Sequence, residues 1–222
     1  MPKNRLFDED TLVIGLGRFG AAAAMEMQQL GYRVTAVERD ADRAERYNGK
    51  LAKVVPLDAG DPESLQQLRM QSFRVAVVAV GSSIESSLLA AGNLVDAEVS
   101  SIWAKAVSAE HGRILTRIGV HHVVFPEGDS GRRVAHLVNE RLKDYIEFDD
   151  GYAIAKMTPP SEMVGFTLGQ SQIRSKYGVT VVGVKAPGEG FTYAVPDTKV
   201  GAHHTLIVSG PRELIGRLAA RP

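Results

Sequence analysis

Three glycines follow the first apolar segment of the chain, in the stretch VIGLGRFG. Gly15, Gly17 and Gly20 have the spacing G-x-G-x-x-G. The first permits a tight turn, the second lets the backbone approach a phosphate, and the third lets a helix pack closely on a strand, with the helix N-terminus facing the negative charge. Glu38 ends the next apolar segment, and its carboxylate can accept hydrogen bonds from ribose hydroxyls. These residues predict a binding site for a dinucleotide or an adenine nucleotide.

Glu38 also bears on which nucleotide binds. A carboxylate at this position repels a 2′-phosphate, whereas the neighbouring Arg39 attracts one. We favour NAD or an adenine nucleotide over NADP because of the carboxylate.

Four further residues fall where the carboxyl edge of a parallel sheet is expected. Arg18 starts the helix of the glycine motif, where a cation opposes the helix dipole and gains most from a bound terminal phosphate. A solvated surface arginine is the alternative. Asp58 follows the third apolar segment, so it either lies beside the adenine or forms a turn before the helix that opens at Pro62. Gly81 and Ser82 follow the fourth segment and belong to the same edge.

Apolar β-branched segments alternate with helical ones through the first half of the chain, which predicts an α/β fold with a Rossmann-like, doubly wound parallel sheet. The predicted strands are 11–15, 32–38, 53–57, 75–80, 100–106 and 121–126. The predicted helices are 18–30, 41–48, one beginning at 62, 83–96 and 108–118.

The pattern changes after the sixth predicted strand. Apolar residues at helical spacing predict one long helix over 129–145; they are Val134, Leu137, Val138, Leu142 and Tyr145. A small α+β unit follows, with strands at 152–157, 179–185, 191–195 and 205–209 and helices at 167–177 and 212–220. The expected domains are therefore 1–128 for nucleotide binding, 129–146 for the long helix, and 147–222 for the small C-terminal unit.

Composition narrows the classes of function. The 222 residues include 26 basic and 26 acidic side chains, so the formal net charge is zero and nothing indicates binding to nucleic acid. The chain has no cysteine, which excludes disulfides, thiolate metal sites and a cysteine nucleophile. The first ten residues are polar and unlike a signal peptide. We therefore expect a soluble, cytoplasmic protein that reaches a membrane only through a partner.

The sequence shows no convincing catalytic set. Hydride transfer needs an acid–base group and a substrate pocket beside the nucleotide. The six histidines fall in two adjacent pairs at strand starts and on two helices, where neither arrangement favours a metal site; they are His111, His121, His122, His136, His203 and His204. A regulatory nucleotide-binding protein is the main hypothesis, and an NAD-dependent oxidoreductase or redox-sensing Rossmann protein is the alternative. The neutral charge disfavours a transcriptional regulator.

Three stretches together resemble one known family. VIGLGRFG, IWAKA at 102–106 and RIGVHHVVFPEGD at 117–129 are similar to the cytosolic RCK regulatory subunits of Ktr/Trk-type bacterial potassium uptake systems, and above all to the KtrA-like branch. The likeness extends over essentially the whole chain, because VGFTLGQSQIRSKYGVTVVGV is similar to the small TrkA-C domain. In this family an adenine nucleotide changes the shape of a ring of subunits, which acts on a membrane potassium channel or transporter. The resemblance therefore implies regulation and no enzyme activity.

The resemblance also implies roles for residues of the predicted site. It places Gly15, Gly17, Arg18, Phe19 and Gly20 at the phosphates and Glu38 at the ribose. It places Asp58 and Ala59 at the base, and Lys105 near the phosphates, with a surface lysine as the alternative. Glu127 would face the nucleotide and a bound cation such as Mg²⁺ or Ca²⁺, or it merely favours a helix N-terminus. Relatives more often have aspartate at the position of Glu38 and no following arginine, so ATP/ADP and NAD(H) both stay open.

Assembly and a second ligand are further implications of the resemblance. The long helix corresponds to the crossover helix that pairs two subunits, and the family forms octameric rings. The ring lies at the inner face of the membrane, on its channel partner. Some KtrA-like proteins bind cyclic di-AMP in the C-terminal domain. Ile173, Arg174 and Tyr177 lie in the matching region, where Ile173 could pack on adenine and Arg174 could bind a phosphate. An ordinary helix end before Gly178 is the alternative.

Overall fold

The computed structural model describes residues 10–138, 140–148 and 150–221. The expectation about a signal peptide concerns the segment before residue 10, which lies outside the described residues. Two compact units divide between Glu127 and Gly128. No helix in the described ranges combines the length and the apolar character needed to cross a membrane.

Six parallel strands form the sheet of the first unit, in the order β3-β2-β1-β4-β5-β6. The strands are β1 (Asp10–Ile14), β2 (Arg33–Glu38), β3 (Lys53–Pro56), β4 (Val75–Val78), β5 (Ser101–Lys105) and β6 (His122–Val124). Its helices are α1 (Arg18–Leu30), α2 (Ala41–Tyr47), α3 (Pro62–Gln66), α4 (Ile84–Asp96) and α5 (Ala109–Arg117). Helix α6 (Pro126–Leu137) begins with the last two residues of the first unit and continues into the second. The order reverses between β1 and β4, which is the point where doubly wound sheets bind ligands. The predicted fold class is confirmed.

Both faces of this sheet are covered by apolar side chains. Leu12 and Ile14 belong to one buried cluster, together with Leu94 of α4 and Leu115 of α5. Val13, between them, belongs to the other cluster, with residues of α1 and β2. Successive residues of a strand point to opposite faces, so β1 is buried on both sides. This accounts for the nearly continuous apolar composition of the central strands.

Side-chain caps begin most helices of the first unit. The Ser83 hydroxyl accepts from the Ser86 amide at the start of α4, and the Ser108 hydroxyl accepts from the His111 amide at the start of α5. A cap of this kind satisfies one of the amides that a helix N-terminus leaves unpaired. Helix α1 differs, because its N-cap residue is Gly17 and carries no capping side chain.

The second unit contains a five-stranded antiparallel sheet in the order β10-β9-β11-β8-β7. Its strands are β7 (Leu142–Glu147), β8 (Tyr152–Met157), β9 (Thr180–Lys185), β10 (Thr192–Tyr193) and β11 (Thr205–Pro211). Its helices are α7 (Leu168–Ser171), α8 (Ile173–Tyr177) and α9 (Arg212–Ala219). Met157, Leu206, Ile215 and Leu218 are fully buried and form the centre of its core.

The prediction of one helix over 129–145, and with it a helical segment 129–146, is wrong. Helix α6 ends at Leu137, and β7 begins at Leu142. The pairing of β7 with β8 shifts register between Leu142 and Asp144. This bulge lets Leu142 and Tyr145, three residues apart, both face the core, where they are 6% and 4% exposed. The spacing of two buried residues in a bulged strand therefore imitated helical periodicity.

The predicted helix over 167–177 is interrupted. Gln172, between α7 and α8, has φ 51°, in the left-handed region, which ends the first helix and starts the second. The predicted strand at 191–195 is shorter as well, since β10 contains only Thr192 and Tyr193.

Candidate nucleotide-binding site

The glycine motif forms a turn between β1 and α1 at the carboxyl edge of the sheet. Gly15 has φ 92°, and its amide donates to the Val37 carbonyl oxygen at 2.7 Å. This left-handed conformation is one that glycine adopts without a steric penalty. Helix α1 begins at Arg18, so its N-terminal amides open onto this turn without a capping side chain. Unpaired amides and the helix dipole together favour an anion here.

The other two glycines serve different purposes. A Cβ atom at Gly20 would lie 1.9 Å from the Gly15 carbonyl oxygen and 2.7 Å from Ala79 Cβ, so helix and turn approach too closely for any side chain. A Cβ atom at Gly17 would meet no atom within 4 Å. The backbone at Gly17, φ −67° and ψ −175°, is one that any residue adopts. The fold therefore needs a glycine at position 20, whereas position 17 only keeps the space in front of the turn open.

Glu38 is buried at the end of β2 and holds the glycine turn. Its Oε2 accepts from the Leu16 amide at 2.7 Å, and its Oε1 accepts from the Asp40 amide at 3.0 Å. The Arg43 guanidinium lies 3.3 Å from Oε2 and offsets the charge. A carboxylate offers about four acceptor positions, and these three donors leave about one for a ribose hydroxyl. Glu38 thus fixes the turn before any ligand arrives, which the sequence did not indicate.

Asp58 and Arg39 face each other across the opposite end of the cleft. Asp58 Oδ1 accepts from the Gly60 amide at 2.9 Å, and its Oδ2 lies 3.6 Å from the Arg39 guanidinium. These contacts agree with the interpretation of Asp58 as a turn residue. Ala59 is buried next to it. Arg39, which follows β2, and Asp58, which follows β3, thus carry opposite charges that compensate each other.

Lys105 and Glu127 form an ion pair near Arg18, at the end of the cleft that we call its phosphate end because phosphates are predicted to lie there. The Lys105 ammonium donates to Glu127 Oε1 at 2.5 Å. This hydrogen bond lowers the pKa of the Glu127 carboxyl, and the charge of Arg18 adds a smaller effect in the same direction. The Lys105 side chain passes over Gly81, where a Cβ atom would lie 3.1 Å from Nζ. Arg18, Lys105 and Glu127 are therefore close enough to act on one another electrostatically.

One cleft of about 1260 Å³ joins these groups. Eleven of the twelve residues predicted for the nucleotide site line it: Gly15, Gly17, Arg18, Phe19, Glu38, Asp58, Ala59, Gly81, Ser82, Lys105 and Glu127. Gly20 is the exception, since it is buried between helix and turn. Asp40, Arg43 and Val107 also line the cleft, and sequence reasoning missed them. Asp40 caps α2 by accepting from the Arg43 amide at 2.9 Å, and an aspartate directly before a helical segment is the signal that could have found it.

Comparison with known proteins identifies the family. Residues 11–126 match the model of the TrkA-N domain. The Ktr system potassium uptake protein C of Bacillus subtilis (strain 168) is 31% identical over 94% of this chain and 95% of its own. The chain belongs to the family of Ktr potassium uptake proteins. The Ktr system potassium uptake protein A of Vibrio alginolyticus is 30% identical over 93% of this chain and 94% of its own, so the similarity to Ktr proteins spans both units.

Solved structures share the fold of this Ktr-family chain. The GsuK RCK domain superposes on all of this chain and 49% of its own, with a TM-score of 0.67 and 19% identity. A GsuK channel bound to NAD gives a TM-score of 0.66 over all of this chain and 41% of its own, also at 19% identity. GsuK bound to ADP covers 63% of this chain and 36% of its own, with a TM-score of 0.51 and 17% identity. The Ktr-family chain thus spans about half the length of these proteins or less, and they establish its fold.

The residues predicted for a second ligand lie on α8 of this Ktr-family protein. Ile173 is 3% exposed and packs in the core of the second unit, so its side chain offers little surface for the predicted contact with an adenine ring. Ile173 directly follows Gln172 in the sequence. The left-handed backbone of Gln172 changes the direction of the helix, so that Ile173 faces the core. Arg174 is exposed. The Tyr177 hydroxyl donates to Glu162 at 2.5 Å, which raises the pKa of Tyr177.

Acidic side chains do not form a preformed metal cage in the described residues. No group of three or more Asp, Glu or His side chains within 10–138, 140–148 and 150–221 is arranged to hold a metal ion. Glu127 supplies one carboxylate, and Lys105 already neutralises it. A cation at Glu127 would therefore need its remaining oxygen ligands from phosphate groups and water, as Mg²⁺ commonly does with nucleotides.

Proposed function

We propose that this protein is a nucleotide-binding regulatory subunit of a potassium uptake system, and that it is not an enzyme. The observation that carries the proposal is the glycine turn, with buried Glu38 behind it, in a chain that aligns almost end to end with Ktr potassium uptake proteins. A bound nucleotide would change the arrangement of subunits, and this change would act on a membrane partner that conducts potassium. The protein would work at the inner, cytoplasmic face of the membrane.

ATP and ADP are the proposed ligands of the cleft. Arg18 and Lys105 place two cations at the end of the cleft nearest the α1 N-terminus, where a chain of phosphates would lie. Glu38 retains acceptor capacity for the ribose. NAD(H) is the second candidate, since GsuK, which shares the fold, has been solved bound to NAD and also to ADP. An NAD-dependent oxidoreductase is the competing function.

Self-association would couple the nucleotide to the membrane partner. Helix α6 has no buried residue; Val134 on it and Val138, which directly follows its last residue, are 60% and 77% exposed. Exposed apolar side chains at helical spacing favour a second copy of the chain as their contact. A dimer built on α6 is thus part of the proposal, and an octameric ring is the further assembly implied by the family resemblance.

The switch between ATP and ADP needs a group that meets only the third phosphate. A ligand shifts a conformational equilibrium only by its differential affinity for the two states. Arg18 is exposed at the start of α1 and lies near enough to Glu127 to lower its pKa. We assign the third phosphate to Arg18, with Glu127 acting through a bridging Mg²⁺ or Ca²⁺ ion.

Deletion and rescue in the source organism test the function directly. A strain that lacks the gene should take up potassium slowly at limiting external concentration, and the wild-type gene should restore uptake. A Gly17→Val gene should not restore uptake, although its protein accumulates normally. Native mass spectrometry of the purified protein should show ATP or ADP bound to a dimer or larger assembly. Normal potassium uptake in the deletion strain, or substrate-dependent oxidation of NADH by the pure protein, would overturn the proposal in favour of an enzyme.

A further inference from the structure

The segment between β5 and α5 forms one wall of the cleft at its phosphate end. Lys105 and Val107 both line the cleft. Val107 lies against Gly81 on the neighbouring strand end, since a Cβ atom there would be 3.5 Å from Val107 Cγ1. The position of this segment therefore sets the width of the cleft and the place of the Lys105 ammonium group.

The His111 side chain is hydrogen-bonded to this segment. The Val107 amide donates to His111 Nδ1 at 3.3 Å, while the His111 amide donates to the Ser108 hydroxyl at 3.1 Å. These reciprocal hydrogen bonds tie the end of the segment to the first turn of α5, much as a capping box does. Because Nδ1 accepts a hydrogen bond, the neutral ring carries its proton on Nε2.

The imidazole is unusual in its surroundings. It is 1% exposed, and Nε2 is buried with no hydrogen-bond partner among the described residues. A buried donor without a hydrogen-bond partner destabilises the folded state. Apolar packing alone would be served better by leucine or phenylalanine. The contact that distinguishes histidine from them is the hydrogen bond that Nδ1 accepts from Val107.

We propose that His111 is a positioning residue that makes nucleotide binding depend on pH, through its hydrogen bond to the Val107 amide. The inference rests on the proposed function, because it concerns the same cleft. When the ring is neutral, it holds Val107 and Lys105 at the phosphate end. When the ring is protonated, both nitrogens are donors, so Nδ1–H faces the Val107 N–H and the segment must move away.

The direction of the effect follows from the burial of the ring. Burial lowers the pKa of His111 below its usual value of 6.5. The ring is therefore neutral above that value, and a proton enters only as the pH falls below it, most readily when the segment has opened. Nucleotide binding favours the closed segment, so affinity should fall on acidification.

Other ionisable groups on the packed elements do not account for this shift in pKa, which arises from burial. Apart from His111 itself, the ionisable side chains on α4, α5 and β6 are all exposed to solvent: Glu85, Asp96, Glu110, Arg113, Arg117 and His122. Lys105 on β5 is paired with Glu127. His121 precedes β6, is exposed, and accepts from the Ile102 amide through Nδ1 at 3.0 Å. It offers a matched control, because it makes the same kind of bond away from the cleft.

The test measures ADP affinity by calorimetry between about pH 5 and pH 8, the range in which histidine changes charge. In His111→Gln, the amide oxygen can accept from Val107 at every pH. Wild-type affinity should fall about three- to tenfold more than that of His111→Gln, which corresponds to a pKa difference of about half to one unit between free and bound protein. Titration of the ADP phosphates cancels in this comparison. His121→Gln should behave as wild type. Equal pH dependence of wild type and His111→Gln overturns the proposal.

Hydrogen exchange of the Val107 amide, without any nucleotide, separates this inference from the proposed function. Protection should decrease on acidification in the wild type relative to His111→Gln. His111→Phe fills the site but accepts no hydrogen bond, so its Val107 amide should be poorly protected at every pH. If protection of the wild type falls on acidification but calorimetry detects no ADP binding, the positioning role stands and ADP is refuted as a ligand of the cleft. Unchanged protection in His111→Phe would refute the positioning role itself.

Discussion

Replacing Gly17 with valine should abolish nucleotide binding and leave the fold intact. The site for a side chain at position 17 is empty of protein atoms within 4 Å, and the backbone there suits any residue. Folding therefore loses only the small preference for glycine over an apolar residue at a helix N-cap, about 0.5–1 kcal/mol. The new side chain projects in front of the glycine turn, into the space where the backbone must approach a phosphate.

The expected size of the effect comes from linkage. A ligand at a hundred times its dissociation constant stabilises the folded state by about 2.7 kcal/mol. For a chain of this length, each kcal/mol corresponds to about 2–4 °C in melting temperature. ATP or ADP should therefore raise the wild-type melting temperature by about 5–11 °C. Without ligand, Gly17→Val should melt within about 4 °C of the wild type, and nucleotide should not raise its melting temperature.

Thermal melting with and without each nucleotide provides the assay, and calorimetry provides the affinities. Gly20→Ala is the matched control, because its Cβ atom would lie 1.9 Å from the Gly15 carbonyl oxygen. Overpacking of this kind costs about 1–3 kcal/mol, so this variant should melt lower even without ligand. A full nucleotide-induced rise in Gly17→Val would refute the reasoning, since phosphates could not then lie at the glycine turn.

Three other variants address the switch and the second site. Arg18→Ala should reduce the difference between the ATP-bound and ADP-bound assemblies in small-angle scattering, while calorimetry should show little loss of ADP affinity; a full difference would contradict the role of Arg18. Glu127→Gln should remove the dependence of the ATP-bound assembly on Mg²⁺ or Ca²⁺, which scattering with and without each ion would detect. Arg174→Ala should weaken cyclic di-AMP binding by about 1.5–3 kcal/mol, the strength of a charge-assisted hydrogen bond. If calorimetry detects no binding to the wild type, that site does not exist.

Sequence patterns were sufficient for the first unit because local and long-range signals agree there. Central strands such as β1 are apolar on both faces, and α1 runs from Arg18 to Leu30 as predicted, with Gly31 in a left-handed C-cap conformation. The glycine spacing and Glu38 also identified the main features of the cleft. What the sequence could not show is the hydrogen bonding of Glu38 to the Leu16 amide, since that contact depends on how two separate turns meet.

The error in the second unit has a physical origin. Helical periodicity and a bulged strand can place the same residues on one side, and Leu142 and Tyr145 satisfy both patterns. No local signal distinguishes the two, because the bulge arises only when β7 pairs with β8. Similarly, Ile173 could be placed on a helix but not inside the core, since the left-handed Gln172 that redirects it is not a residue type that marks such a break.

The ion pair between Lys105 and Glu127 should weaken the binding of small anions in the cleft. Any anion that reaches the Lys105 ammonium must first displace a carboxylate 2.5 Å away. For a partly exposed pair this competition costs up to about 1 kcal/mol. Inorganic phosphate would have only its contact with Lys105 to offset this cost. A nucleotide would also contact the glycine turn and Glu38, and these contacts would help to offset it. A cost of up to about 1 kcal/mol is a loss of affinity of up to about fivefold, and inorganic phosphate should therefore bind in the cleft up to about fivefold more weakly than it would without the ion pair.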